Sequence, residues 1–302
     1  MDNHLYQMWN VGLTSPWQYP ITIMIYLLVI ILNAVEIHIL RKKRHKKAHE
    51  TMLLSLSICE LQSAVLTTVF MLVKKIVVSY KKLDLSVLWL MVTWGFSSNL
   101  VWSSWMLHLI FISFHRLWAI AAPIHHRIHA TIKKVKMAIV LSWLIPILLM
   151  FTCSSVVIIV ENFSVDKSMK FISGPGFQLL TITIFITDIV LITSYLIIAV
   201  CLSKSKIPKK RGQENNPNKP QQRNSLYLCA GIVSSFIISS VPIVALGLVQ
   251  WDPPDWLFQL SNITCPINGA VNSIMYLFQY YYQKRAVSSI TCDAVGMNTP
   301  DI

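Results

Sequence analysis

Three carboxylic acids lie inside long apolar runs of the sequence: Glu36, Glu60 and Asp188. A charge at the centre of a membrane helix costs about 2.5–3.5 kcal/mol on insertion scales, so such residues usually face a bundle interior and find a partner. Glu60, near the middle of its run, is predicted to do so. Glu36 is predicted to be structural and to reach water or the basic residues from Arg41 onward. Asp188 follows a series of threonines and could either pack helices together or contact a ligand.

The rest of the sequence offers no catalytic arrangement. No nucleophile, base and metal set converges in or beside the apolar runs, so neither an enzyme activity nor a cofactor is predicted. His125, His126 and His129 resemble a group of metal ligands, but they lie in a basic segment. These histidines are predicted to face solvent or lipid, and no metal site is predicted.

The elements that carry the acids are those of a membrane protein. Of the 302 residues, 54% are hydrophobic and only 13% are charged, about half the charged fraction of a soluble domain. A helix needs roughly 20 apolar residues to cross a bilayer. Seven runs meet this length, over about 18–40, 51–73, 87–119, 137–160, 175–203, 225–250 and 257–282. The sequence predicts an all-α bundle of seven transmembrane helices. The net charge of +13 is therefore assigned to the segments between spans and not to nucleic-acid binding.

The basic residues predict the orientation of the chain. With the N-terminus outside, 20 Lys and Arg fall in cytoplasmic segments and six in outer ones, as the positive-inside rule requires. The chain then divides into an extracellular segment 1–17, a membrane domain 18–282 and a cytoplasmic tail 283–302. Asn162 begins an Asn-Phe-Ser sequon in an outer segment and is a predicted glycosylation site. The basic run Arg41–Lys47 is expected to fix topology and contact anionic lipid, with partner binding as the alternative.

Six of the seven runs carry residues at characteristic spacings. The third run ends in His115 and Arg116, with Pro123 seven residues after the arginine. The other anchors are Asn33 with Val35, Glu60 before Leu61, Trp143, Phe236 with Pro242, and Asn268 and Asn272 with Tyr276. Together these anchors resemble the motifs of a known family, the rhodopsin-like G-protein-coupled receptors, whose third span ends in an Asp-Arg-Tyr signature. The resemblance extends over about residues 18–283.

The chain also departs from the family pattern. The substituted positions are His115 for the acid before Arg116, Leu117 for Tyr, Glu60 for Asp, Ser240 for the sixth-span Trp, Ser273 for Pro and Met91 for the outer Cys of the third span. The second outer segment also lacks the partner of that cysteine, and Cys265 is the one cysteine expected near the outer surface, so no outer disulfide is predicted. The acid at the position of His115 normally holds the arginine in the resting state. Without that acid, the resting state is expected to hold Arg116 less firmly.

The resemblance implies a multi-pass receptor of the plasma membrane that transmits binding of an extracellular ligand to a heterotrimeric G protein. It assigns coupling and switching to His115, Arg116, Tyr195, Phe236, Pro242, Asn272 and Tyr276. It also implies a buried polar network of Asn33, Glu60, Asn268 and Asn272, where relatives hold a sodium ion. Trp105 replaces a small hydroxyl residue at that place, so the network is expected to bind little or no ion.

Ligand-binding residues are sought in the outer half of the third run. Trp94, Ser98 and Trp102 follow at intervals of four residues and so share one helical face. They are candidates for lining a ligand pocket, with helix packing or lipid contact as the alternative. Ser98 stands where amine receptors of the family carry an Asp, and Pro266 stands where opsins carry the retinal Lys. The ligand is predicted to be neither a biogenic amine nor retinal.

A transporter or channel is the competing class of function. It would account for three acids within the membrane and for the missing acid beside Arg116. Against it, the sequence has no internal duplication and no pair of Gly-interrupted spans, which are the usual indications of a transport site.

Overall fold

The computed structural model describes residues 18–43, 48–80, 85–161, 177–204, 219–248 and 255–296. Every regular element in these ranges is an α-helix. The helices are α1 (Gln18–Lys42), α2 (Ala48–Tyr80), α3 (Leu85–Ala121), α4 (Pro123–His129), α5 (Ile132–Glu161), α6 (Phe177–Lys204), α7 (Lys219–Leu248) and α8 (Asp255–Gly296). The predicted all-α class is confirmed. The predicted sequon at Asn162 and the segment 1–17 lie outside the described residues.

Seven of these helices have the length of a membrane span. All but α4 contain between 25 and 42 residues. Five segments of described residues are also apolar enough to cross a bilayer: Tyr19–Lys42, Ala48–Val73, Thr93–Ala121, Leu180–Cys201 and Ala230–Gly247. Many large apolar side chains face outward, Met24, Phe151 and Phe278 among them. An outer surface of this composition requires lipid, and helices satisfy their own backbone hydrogen bonds there.

Helices α1, α2, α3, α6, α7 and α8 pack in a closed ring, and α5 packs against α2 and α3. Helix α3 contacts α2, α5, α6 and α7, and α8 closes the ring by packing against both α1 and α7. Leu109 of α3, Leu191 of α6 and Phe236 of α7 are completely buried at the centre. The inner faces of α1, α2 and α8 are more polar, and most of the candidate residues lie there.

Two glycines sit at close helix contacts and provide a test of the packing. A Cβ added at Gly247 of α7 would overlap the β-branched side chain of Thr181 on α6, whereas one added at Gly231 would meet the flexible end of Met275. Gly-to-Ala favours a helix by about 1 kcal/mol at either position, while overpacking costs about 1–3 kcal/mol. We expect Gly247→Ala to lower the melting temperature in detergent more than Gly231→Ala does. Equal effects would contradict the α6–α7 contact.

Candidate functional site

Arg116 lies near the cytoplasmic end predicted for α3, and no acid meets it among the described residues. Two of its guanidinium nitrogens, Nε and Nη2, are buried and have no hydrogen-bond partner in this part of the chain. The neighbouring His115 turns its Nε2 toward Nε2 of His126 on α4, at 3.3 Å. Within the described part of the chain, the guanidinium therefore has no ion pair.

The short helix α4 brings a second histidine to Arg116. Pro123 occupies its first turn, where a missing N–H has no cost. His125 and His129 are exposed, as the sequence predicts, but His126 is half-buried and packs edge-on against Trp118. Burial and the adjacent Arg116 lower the pKa of His126. His126 is therefore more readily neutral at physiological pH, and acidification would add a second positive charge beside Arg116.

The buried polar network forms around Glu60 on α2. Asn272 of α8 donates its Nδ2–H to Oε1 of Glu60 at 2.5 Å, and Asn33 and Trp105 also face this carboxyl group. Asn268 is fully buried one turn before Asn272, yet neither of its amide atoms has a hydrogen-bond partner among the described residues. The structure thus hydrogen-bonds Asn272 to Glu60, whereas the Asn33 amide donates to the carbonyl oxygen of Val29, one turn earlier in α1, and Asn268 lies beside them.

Glu36 belongs to the same region, which corrects the sequence prediction. Its side chain is 3% exposed and faces Ser57 of α2 and Ser273 of α8. The prediction that Glu36 reaches water or Arg41 is wrong. Its distance from the end of the run suggested water, but Glu36 lies three residues after Asn33 and therefore on the same inward face.

Asp188 joins α6 to α7. Ser240, which stands at the place of the family's sixth-span Trp, donates its hydroxyl to Oδ2 of Asp188 at 2.8 Å. The other carboxylate oxygen of Asp188 is buried without a hydrogen-bond partner among the described residues. Of the two roles that the sequence left open, this contact supports helix packing.

Aromatic side chains of α2, α3 and α7 pack against one another. Trp94 stacks on Phe70 of α2 with 3.8 Å between ring centroids, and Trp105 meets Trp102 and Phe236 edge-on, with centroids 5.1 Å and 5.2 Å away. A small cavity that is open on one side lies between α1, α2, α3 and α8. Glu60, Trp102 and Trp105 line this cavity, whereas Trp94 and Ser98 do not.

One known protein family matches most of the chain. A model of the family described as 7 transmembrane receptor (rhodopsin family) matches residues 27–276. The chain belongs to that family. No curated protein sequence matches the receptor at the significance required. The family match spans most of the chain, so the resemblance expected from scattered anchors on six runs is confirmed.

The remaining switch residues of the receptor lie on α6, α7 and α8. Phe236 is fully buried against Trp105, and Pro242 lies inside α7 one turn beyond Ser239. Tyr276 is buried, and its hydroxyl has no hydrogen-bond partner among the described residues. Tyr195 of α6 packs at the edge of the central core.

A histidine that the sequence analysis missed joins three helices of the receptor. His108 of α3 lies 2.7 Å through Nε2 from the hydroxyl of Ser55 on α2 and 3.0 Å from that of Ser142 on α5. Its Nδ1 lies 2.7 Å from the carbonyl oxygen of Ser104, and Trp143 donates to Ser55 at 3.3 Å. Both ring nitrogens are thus used, with Nδ1 as the donor. The sequence contains one indication of this contact, because Ser104 and His108 lie four residues apart in an apolar run.

Proposed function

We propose that the protein is a plasma-membrane receptor that transmits binding of an extracellular ligand to a heterotrimeric G protein. The N-terminus lies outside in this proposal and the tail 283–302 is cytoplasmic, in agreement with the 20-to-six distribution of Lys and Arg. Membership of the rhodopsin family supports the receptor class.

The coupling proposal rests on the buried guanidinium group of Arg116. Two of its nitrogens are buried and have no hydrogen-bond partner within the described ranges. They are strong donors, and a guanidinium pairs best with carboxylates or several carbonyl groups. A G protein that inserts a peptide segment at this end of the bundle would supply such acceptors. His115, His126 and the basic residues of the predicted second and third cytoplasmic segments complete the surface offered to it.

We propose that the ligand acts from the outer half of the bundle, on the side of the cavity lined by Trp102. Trp94 and Ser98 occupy the same face of α3 farther toward the outer end. Ser98 provides no carboxylate for an amine, and α8 contains no lysine before Lys284 for a retinal Schiff base. The ligand would favour the coupled state by binding it more tightly than the resting state.

The test uses the full chain reconstituted in nanodiscs with purified heterotrimers of each main Gα class. We expect GDP release to be faster than with empty nanodiscs for at least one class. In parallel, the chain in sealed vesicles is tested for ion flux. Flux without any exchange would favour the transporter or channel and contradict the receptor proposal.

Basal activity is expected because His115 cannot pair with Arg116 as an acid would. We expect His115→Asp to lower ligand-free GDP release several-fold, within the roughly 1–3 kcal/mol typical of coupling between sites. The matched control is His125→Asp, which adds the same charge at an exposed position of α4. A wild-type chain without basal exchange that is unchanged by His115→Asp would contradict this prediction.

A further inference from the structure

Lys43 occupies the junction between α1 and α2 and makes an unusual set of contacts. Its Nζ lies 2.7 Å from Oε1 of Glu50, on the first turn of α2, and the two side chains are only 27% and 11% exposed. The same ammonium group lies 5.3 Å from the ring centroid of Tyr280 and 5.9 Å from that of Tyr276. One cation thus connects the start of α2 to two aromatic rings of α8. We call these four residues the Lys43 clamp.

The surroundings make this clamp stronger than a surface ion pair. Exposed pairs contribute about 0–1 kcal/mol because water screens them and the side chains lose freedom. Here Glu50 is buried, and Lys43 compensates the charge of its carboxylate at 2.7 Å. Two ring faces add cation–π attraction. The neighbouring Arg41 and Lys42 are exposed, and no ion pair or cation–π contact joins them to the described side chains of α8.

The position of the clamp on α8 connects it to the switch. Tyr276 and Tyr280 are four residues apart and therefore lie on one face of α8. Tyr276 is the tyrosine that the family resemblance assigns to switching, and its hydroxyl is buried without a hydrogen-bond partner among the described residues. The acid that holds the arginine at rest in the family pattern is replaced in this chain by His115. The clamp supplies a restraint on another helix at the same end of the bundle.

We propose that Lys43 and Glu50 are positioning residues of the receptor switch. The clamp holds Tyr276 and Tyr280 against the α1–α2 junction at rest, and its release favours the state that couples to the G protein. Release frees the Tyr276 hydroxyl to find a partner after α8 moves. This inference rests on the proposed function, because its consequence is measured as nucleotide exchange.

The test removes the clamp without leaving a buried charge alone. The double variant Lys43→Met/Glu50→Gln keeps the size of both side chains and removes both charges. In nanodiscs we expect a several-fold rise in ligand-free GDP release. We also expect faster hydrogen–deuterium exchange in peptides that cover 272–282, a measurement that needs no G protein. The single variant Lys43→Arg keeps the cation, and both of its readings should be close to those of the wild type.

The matched control is Lys42→Met, which removes the same charge from the neighbouring exposed position and should change neither reading. Unchanged hydrogen exchange around Tyr276 in the double variant would overturn the clamp itself. Faster hydrogen exchange with unchanged GDP release would overturn its role in the switch. Failure of the wild type and all variants to promote GDP release, with the hydrogen-exchange effect intact, would instead overturn the proposed function and with it the assigned consequence.

Discussion

Replacing Arg116 with alanine should abolish receptor-dependent GDP release. The guanidinium carries two buried donors that lack partners among the described residues, and in the proposed complex the G protein supplies their acceptors. Truncating one side of a desolvated charged contact costs about 2–5 kcal/mol, and 1.4 kcal/mol corresponds to a factor of ten. We therefore expect a loss of about 30-fold or more, measured as the exchange rate for the best-coupled Gα class.

The matched control for this change is Arg127→Ala. Arg127 lies on α4 close to the same end of the bundle, but it is exposed. Its removal changes the net charge equally and should reduce exchange only slightly. Melting temperatures of both variants in detergent check that the bundle is intact. If Arg116→Ala exchanged as fast as the wild type across all Gα classes, the proposed coupling through this residue would be wrong.

The second large effect is expected at Glu60. Glu60→Leu removes the acceptor of the Asn272 amide and the group that Asn33 and Trp105 face. Each buried polar group left without a partner costs about 1–3 kcal/mol. We expect this variant to express poorly or to melt several degrees lower, and to lose exchange activity. Glu60→Gln should be tolerated, because its carbonyl oxygen can still accept from Asn272.

Two comparisons sharpen the Glu60 prediction. Gln62→Leu makes a similar polar-to-apolar change at an exposed position of α2 and should leave the melting temperature nearly unchanged. The second comparison replaces potassium with sodium in the exchange assay. We expect no difference, since Trp105 faces the Glu60 carboxyl group where an ion would need space. A sodium effect that Glu60→Gln abolishes would show that an ion site has survived.

The helices of the bundle were predictable from the sequence because lipid imposes a simple rule on composition. The first apolar run, 18–40, corresponds to Gln18–Lys42, and the fifth, 175–203, corresponds to Phe177–Lys204. The last run was placed at 257–282, whereas α8 continues to Gly296. Hydropathy marks the part of a helix that lies in hydrocarbon, and it carries no information on where helical hydrogen bonding ends.

The candidate site was only partly predictable. Helical periodicity and family spacing place Asn33, Glu60 and Asn272 toward a common interior, where the structure buries all three and hydrogen-bonds Asn272 to Glu60. The same reasoning failed for Glu36, because its depth was considered and its helical face was not. Contacts made between elements, such as Lys43 with Tyr280 or His115 with His126, depend on how α8 and α4 are placed. No pattern within a single run contains that information.

The hydrogen bonds of His108 join three helices of the bundle to one another. The ring joins α2, α3 and α5 through Ser55, Ser104 and Ser142, and sliding any of these helices would break bonds that hydrocarbon cannot replace. We therefore expect α2, α3 and α5 to keep their relative positions while α6, α7 and α8 move. Structures of two functional states should superpose on α2, α3 and α5, and substitutions meant to rigidify the receptor should be placed in the other helices.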